Sequence, residues 1–496
     1  VVFENLLLLQ LHTMLERLAL ARERAYACSF DIAHVKLLLS KLPFQLTLAQ
    51  KRSLWEILQD LARARPMNRL LQGDVGSGKT VVVALAAILL GSHQKQTAFM
   101  APTEVLARQH FETLKNLFPS FEKGIGFVTS SDARVFYGEG LESVITKEEL
   151  FRICTHGRAL ILIGTHSLLH NRLPFSALAL VVVDEQHRFG VRQRARLLKN
   201  KTLGTRGTTL LPHFLSMSAT PIPRTLSLAI FGDLDVSIID ELPRDRKAIV
   251  TKIVDPKNRE KAYDVIRQEV GKGRQCFVIC PRIELTNESG IRNYGAEGSR
   301  NEVKNVKEEF EKLSKKIFPD LRVGMLHGKM KAKEKEHVMK MFKKGEIDLL
   351  VSTSVIEVGV DVPNASIMVI EGAELFGLAQ LYQFRGRVGR GAHQSFCFLF
   401  TESTSSTTRS RLRFLITAKS GFELAEKDLA LRGPGEFLGT SQTGLPDFAM
   451  RAMQNPELIR DSREAARAIL GEDSELSLYP LLREKLGVFE KGVHYE

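Results

Sequence analysis

From residue 67 onward the apolar residues fall into short unbroken runs at 68–72, 97–101, 125–129, 160–164, 179–183 and 213–217. Longer amphipathic or polar stretches separate them. A run that is apolar at every position predicts a strand covered on both faces, as in a parallel sheet with helices on either side. A helix is expected from about Ala49 to Ala64, and a buried one over Val81–Leu90. Between Ile239 and Lys247 the chain turns polar (Asp240-Glu241-Leu242-Pro243-Arg244-Asp245-Arg246), which places a domain boundary there. A second strand-helix series follows, with runs at 248–254, 276–280, 322–326, 347–351, 366–370 and 395–400. Residues 284–305 are polar and read as a surface loop, and residues 1–42 alternate Leu-rich and basic stretches, as one or two helices would. Past the second series, Phe422, Leu424, Leu429 and Leu431 can pack a helical hairpin. Gly433-Pro434-Gly435 would break it, since proline lacks the N–H a helix needs. The expected fold is α/β, with two tandem lobes built on parallel sheets. The expected domains are N-terminal linker helices at 1–45, a first lobe at 46–242, a second lobe at 243–415, and a hairpin with tail at 416–496.

In such a fold, ligands bind beyond the carboxyl ends of the strands. The first predicted strand runs into Gly73-Asp74-Val75-Gly76-Ser77-Gly78-Lys79-Thr80, ahead of a helix. Strand, glycine loop and helix are the context in which G-x-x-x-x-G-K-T holds phosphate. Lys79 then reaches the β- and γ-phosphates, and Thr80 sets its hydroxyl on Mg²⁺. Asp184-Glu185 follows Leu180-Val181-Val182-Val183. An acid after such a strand holds Mg²⁺, and Glu185 is placed to orient or deprotonate the attacking water. ATP and Mg²⁺ are the cofactors these residues imply. Phe44 and Gln50, ahead of the loop, suit a stacking ring and an amide for adenine; the plainer alternative makes Phe44 core and Gln50 surface. The second series has no phosphate loop of its own. It carries Arg385, Arg387 and Arg390 interleaved with glycine, which can bring guanidinium groups to a developing γ-phosphate charge. The competing reading of such a run is a flexible nucleic-acid tail, against which Val388 and the neighbouring strands argue.

The totals narrow the class. Net charge is +13 and the pI near 9.4, which favours a polyanionic partner but equally fits a solvated basic surface. The five cysteines (Cys28, Cys154, Cys276, Cys280, Cys397) are sparse and odd in number, as in a reducing compartment. Cys276 and Cys280 sit within one predicted strand, poor geometry for zinc. The apolar run ending at Gly91 is too short to span a bilayer, so no membrane partner is expected.

Gly73–Thr80, Asp184–His187, Ser218–Thr220, Ser352–Asp361 and Gln380–Arg390 together resemble the ordered motifs of superfamily 2 helicases and translocases. Asp184–Val191, Leu326–Met330 and Gln383–Arg390 narrow this to the bacterial RecG family of branch-migrating helicases, with the transcription-repair coupling factor as nearest relative. Ala425–Leu429 and Leu431–Thr440 are similar to the translocation motif those two share, in the RecG wording. The family usually continues Thr-Arg-Gln-Ser-Gly, where this chain reads Thr440-Ser441-Gln442-Thr443-Gly444, so a basic contact is missing at Ser441.

The resemblance implies RecA-like P-loop NTPase lobes, ATP hydrolysis coupled to translocation on double-stranded DNA, and remodelling of stalled forks and Holliday junctions in recombination and repair. A coupling-factor-like translocase, an RNA helicase and a non-hydrolysing P-loop module are the alternatives. For individual residues, it implies that Arg387, Arg390 and Gln383 act in catalysis from the second lobe. His187, Gly359 and Asp361 join the nucleotide site, Thr103, Thr165, His166 and Thr353 face DNA, and Arg432 and Gln442 couple hydrolysis to motion. It also implies a bacterial cytoplasmic, nucleoid-associated monomer able to contact a single-strand-binding protein. The family's N-terminal wedge domain is absent, and the chain begins at Val1 rather than Met, so an upstream part is expected.

Overall fold

The computed structural model describes residues 2–165, 168, 175–185, 202–203, 209–218, 234–241, 247–281, 298–353, 362–389, 391, 393–418, 420–421, 423–424, 427 and 456–492. The chain divides into two compact units, one of residues 1–242 with 425–496, the other of 243–424.

The first unit opens with helices α1 (Val2–Arg22), α2 (Ile32–Ser40) and α3 (Leu48–Leu61), followed by β1 (Asn68–Gly73), α4 (Lys79–Ser92), β2 (Gln96–Met100) and α5 (Glu104–Leu117). Then come β3 (Ile125–Val128), β4 (Ala133–Phe136), β5 (Glu142–Val144), α6 (Lys147–Thr155), β6 (Ile161–Gly164) and β7 (Leu178–Asp184). A two-stranded pair, β8 (Thr202–Leu203) and β9 (Thr209–Leu210), precedes β10 (His213–Ser218) and β11 (Asp235–Ile239). The main sheet has the order β11-β1-β10-β7-β2-β6-β3-β4-β5. It is parallel except for β4 and β5, an antiparallel extension at one edge.

All six strands predicted for this lobe are present. Of those that were not predicted, β4, β5 and β11 lie at the margins of the main sheet, and β8 and β9 pair apart from it. β5 is exposed at two of its three positions and β11 mixes buried with half-buried positions, so neither carries the unbroken apolar run of a central strand. Helix α4 is buried from Val82 to Gly91 and packs on β1, β2, β6 and β7.

Two buried polar side chains fasten this sheet. Gln96, at the start of β2, donates from Nε2 to the carbonyls of Cys154 and Ala159 at 2.7 and 3.0 Å and accepts from the Ala177 N–H at 3.0 Å. His213 accepts the Met67 N–H on Nδ1 at 3.0 Å and donates from Nε2 to the Tyr26 carbonyl at 2.7 Å. Burial holds that imidazole below its ordinary pKa.

The unit is completed from the far end of the chain. Helices running from Pro456 to Glu472 and from Pro480 to Gly492 share an apolar core with α1, built from Leu8, Leu11, Ala466, Leu470, Leu476 and Leu486.

The second unit runs β12 (Val250–Val254), α7 (Arg259–Gly271), β13 (Gln275–Ile279), α8 (Gly298–Lys312), β14 (Val323–Leu326) and α9 (Ala332–Lys343). It continues with β15 (Leu349–Ser352), β16 (Ala365–Ile370), α10 (Leu378–Arg385), β17 (Phe396–Phe400) and α11 (Ser406–Thr417). Its sheet, β12-β17-β16-β13-β15-β14, is parallel throughout, with a separate apolar core on each face. All six strands predicted for this lobe are present. The expected loop at 284–305 differs in part: α8 begins at Gly298, and Val306 on it is fully buried. Gln275 repeats the device of Gln96, donating to the carbonyls of Phe342 and Ile347 at 2.6 and 2.7 Å. In the described residues no helix is long and apolar enough to cross a membrane.

Candidate nucleotide site

β1 delivers Gly73 at its carboxyl end and α4 begins at Lys79, so residues 74–78 form the connecting loop. The loop needs glycine where it turns: Gly76 and Gly78 have φ of 80° and 88°, in the left-handed region. At Gly78 a Cβ would also stand 2.3 Å from Nε2 of Gln50. Lys79 folds back over the loop, its ammonium donating to the carbonyls of Gly73 and Asp74 at 2.7 and 3.0 Å. The Ser77 hydroxyl is buried and meets no partner among the described residues. A loop with an ammonium over it and an unsatisfied hydroxyl beside it fits a phosphate chain.

Gln50 lies against this loop. It belongs to the capping box that starts α3, with Oε1 accepting the Thr47 N–H at 2.9 Å, and its Nε2 donates to the Ser77 carbonyl at 2.7 Å. The residue is 4% exposed, whereas Phe44 is 43% exposed. The alternative of a core Phe44 and a surface Gln50 is therefore reversed. The bonds to Thr47 and Ser77 use one N–H and one lone pair of the Gln50 amide, which has two of each. The other end of α3 is anchored to β1: Asp60 accepts from Nε and Nη2 of Arg69 at 2.9 and 2.7 Å.

Asp184 ends β7, which is separated from β1 by β10 alone, so its carboxylate and the phosphate loop share one edge of the sheet. Asp184 is 7% exposed. Burial pushes its carboxyl up, but the hydrogen bond from His110, the Lys79 charge and the Glu185 backbone N–H outweigh burial and hold it below the usual range. An ionised, buried carboxylate on the same sheet edge as the threonine at the start of α4 supplies hard oxygen donors of the kind Mg²⁺ takes. Among the described residues no three His, Cys, Asp or Glu side chains cluster as a metal cage. A Mg²⁺ carried on nucleotide phosphates needs no such cage. Glu185 turns the chain off the strand with φ of 53°, a left-handed conformation that costs a non-glycine residue about 1 kcal/mol or more.

Thr103 caps α5, its Oγ1 accepting the Leu106 N–H at 3.3 Å, and Thr165 directly follows β6. In the second unit Thr353 follows β15, with its hydroxyl buried and without a partner among the described residues.

Of the three arginines, the structure describes Arg385 and Arg387, and gives them different surroundings. Arg385, the last residue of α10, donates to the Leu415 carbonyl and lies 4.5 Å from the Tyr382 ring centroid, so it fastens α10 to α11. Arg387 is 7% exposed, and Gln383 is half-buried on α10. In the same unit, Glu371, just past β16, pairs with Arg259 at 3.1 Å. Burial and Glu309 push that carboxyl up to about 7, against Arg259 and Lys312. The sequence reading missed this pair. It also missed His110, whose only signal was a polar residue on the buried stripe of α5. Arg390, His166, His187, Gly359, Asp361, Arg432 and Gln442 lie outside the described residues.

Comparison with known proteins agrees with this layout. Residues 47–228 match the DEAD/DEAH box helicase family model, and residues 258–392 match the helicase conserved C-terminal domain. Fold and site thus define a two-lobed P-loop helicase core. The chain belongs to the RecG family of ATP-dependent DNA helicases. It is 48% identical over 90% of its length to ATP-dependent DNA helicase RecG of Synechocystis, and 42% identical over 98% of its length to that of Bacillus subtilis. It spans 50% and 67% of those two relatives. A solved structure of RecG bound to a three-way DNA junction is 37% identical, with a TM-score of 0.72, over 92% of this chain and 56% of the other.

Proposed function

We propose that this chain is an ATP-driven double-stranded DNA translocase that remodels branched DNA, such as stalled forks and Holliday junctions. The observation that carries the reading is the buried Asp184 carboxylate set beside the Lys79 loop on one edge of the first sheet. The RecG relatives and the RecG structure with a three-way DNA junction support the choice of substrate.

In the proposed mechanism, ATP lies on the glycine loop. Gln50 and Phe44 receive adenine, and the Lys79 ammonium leaves the Gly73 and Asp74 carbonyls for the β- and γ-phosphates. Thr80 and Asp184 hold Mg²⁺, which neutralises phosphate charge when bound. Glu185 orients and deprotonates water. Gln383, Arg387 and Arg390 complete the site from the second lobe, with His187, Gly359 and Asp361 beside the nucleotide. Thr103, Thr165, His166 and Thr353 contact the DNA backbone. The acting unit is a single chain at the bacterial nucleoid.

Phosphate release measured on fork, duplex and single-stranded DNA tests the reading. Branched or duplex DNA is expected to stimulate most. DNA affinity is expected to fall with a log–log salt slope of about −0.9 per phosphate neutralised. Hydrolysis indifferent to DNA, or a flat salt dependence, would overturn the proposal.

Coupling is assigned to Arg432 and Gln442. Arg432→Ala is expected to keep DNA-stimulated hydrolysis and lose triplex displacement, with Gln442→Ala weaker in the same direction. Proportional loss of both activities would place Arg432 in folding or hydrolysis instead.

A further inference from the structure

Helix α5 buries Leu106, Ala107, His110, Phe111 and Leu114, so a histidine stands in a stripe that is otherwise apolar. A buried polar group in such a stripe costs stability unless it is hydrogen-bonded. The His110 ring stacks on Phe99, with centroids 4.5 Å apart and planes 27° from parallel, and its Nε2 lies 2.7 Å from Oδ2 of Asp184. An ionised carboxylate can only accept, so Nε2 carries the hydrogen and donates it. The Glu185 backbone N–H donates to the same carboxylate. Asp184 is therefore gripped both by the residue that follows it and by a helix on another part of the chain.

That helix begins at the DNA side. Thr103 is its N-cap, and in its first turn Glu104 accepts from the Ser130 N–H at 3.1 Å and the Ser131 hydroxyl at 3.2 Å. Seven residue steps of helix lead from Thr103 to His110, a rigid span of about 10 Å. We propose that His110 is a positioning residue for the Asp184 carboxylate, and that α5 makes it a mechanical link by which DNA at Thr103 adjusts the metal-binding geometry. A shift of the first turn carries the imidazole with it, and the carboxylate follows its donor. The inference rests on the proposed reading of Asp184 as a Mg²⁺ ligand and of Thr103 as a DNA contact.

The test is equilibrium binding of a fluorescent ADP against Mg²⁺ concentration, with and without fork DNA. Wild type, His110→Phe and His110→Gln are compared. Phenylalanine keeps the stack on Phe99 and roughly the volume but has no donor. Glutamine can place an amide N–H near the Nε2 position. In His110→Phe the Mg²⁺ concentration at half-effect should rise about tenfold or more, the usual scale for losing a group that orients a metal ligand. DNA should no longer shift that concentration. His110→Gln should restore most of both effects, and its melting temperature should stay near wild type.

If His110→Phe keeps the wild-type Mg²⁺ half-point, His110 only packs and the proposal fails. Equal impairment in both variants would overturn it too, because the donor would then not be what matters. A Mg²⁺ shift that leaves the DNA effect intact removes the link along α5. If wild type itself shows no Mg²⁺ dependence and no DNA-stimulated hydrolysis, the functional reading falls first and takes this inference with it.

Discussion

Glu185→Gln should bind ATP as well as the wild type and turn it over more slowly by a factor on the order of 100 to 10,000, the contribution expected of a positioned general base. The substitution is nearly isosteric, so the left-handed backbone at φ 53° and the N–H donated to Asp184 are retained. What changes is the basicity of one group. Glutamine can still orient a water but cannot take its proton. The phosphate loop, the Lys79 contacts and the Gln50 brace involve other atoms, so nucleotide affinity has no reason to fall. Equilibrium binding of a fluorescent nucleotide, read beside phosphate release in the presence of DNA, separates the two quantities. Turnover within about twofold of wild type would remove Glu185 from the chemistry. Loss of binding in parallel with turnover would instead mean that the substitution disturbs Asp184.

Both sheets were legible in the sequence because their central strands are buried on two faces. β7, for example, is buried at every position, which leaves an unbroken apolar run. Marginal strands lose that signal: β5 is Glu-Ser-Val, and β11 begins with an aspartate that pairs with Arg17 at 2.8 Å. The phosphate loop and Asp184-Glu185 were legible because local spacing and the preceding strand carry their chemistry. His110 was not, since its meaning comes from Asp184, a residue far along the chain that only the order of β2 and β7 brings near. For the same reason the shared core of α1 with the two C-terminal helices could not be read from either segment alone. The three arginines show what a local pattern leaves open. Their spacing permits a common anion, but packing assigns Arg385 to the Leu415 carbonyl and the Tyr382 ring.

That assignment makes Arg387 the sharper test of the second lobe. Arg387→Ala should lower turnover by about 1,000-fold or more, if its guanidinium neutralises charge developing on the γ-phosphate. Helix α10 ends at Arg385, Gly386 caps it, and Arg387 comes next, 7% exposed, followed by a fully buried Val388. A flexible nucleic-acid tail would expose these residues, so burial speaks for a fixed guanidinium. Burial also means that alanine can weaken the fold, because removing a buried polar side chain can cost about 1–3 kcal/mol through the partners it leaves unsatisfied. Two controls separate the causes. Arg387→Lys keeps the charge but not the planar fork, and should stay far below wild-type turnover. Arg385→Ala breaks the tie between α10 and α11, and should lower melting temperature while sparing turnover per folded molecule. Turnover is therefore normalised to the fraction of protein that binds nucleotide. If Arg387→Lys restores most of the rate, a diffuse positive charge suffices and no finger is needed. If Arg387→Ala falls only in step with its folded fraction, Arg387 holds the second lobe together and the γ-phosphate must be served by another group.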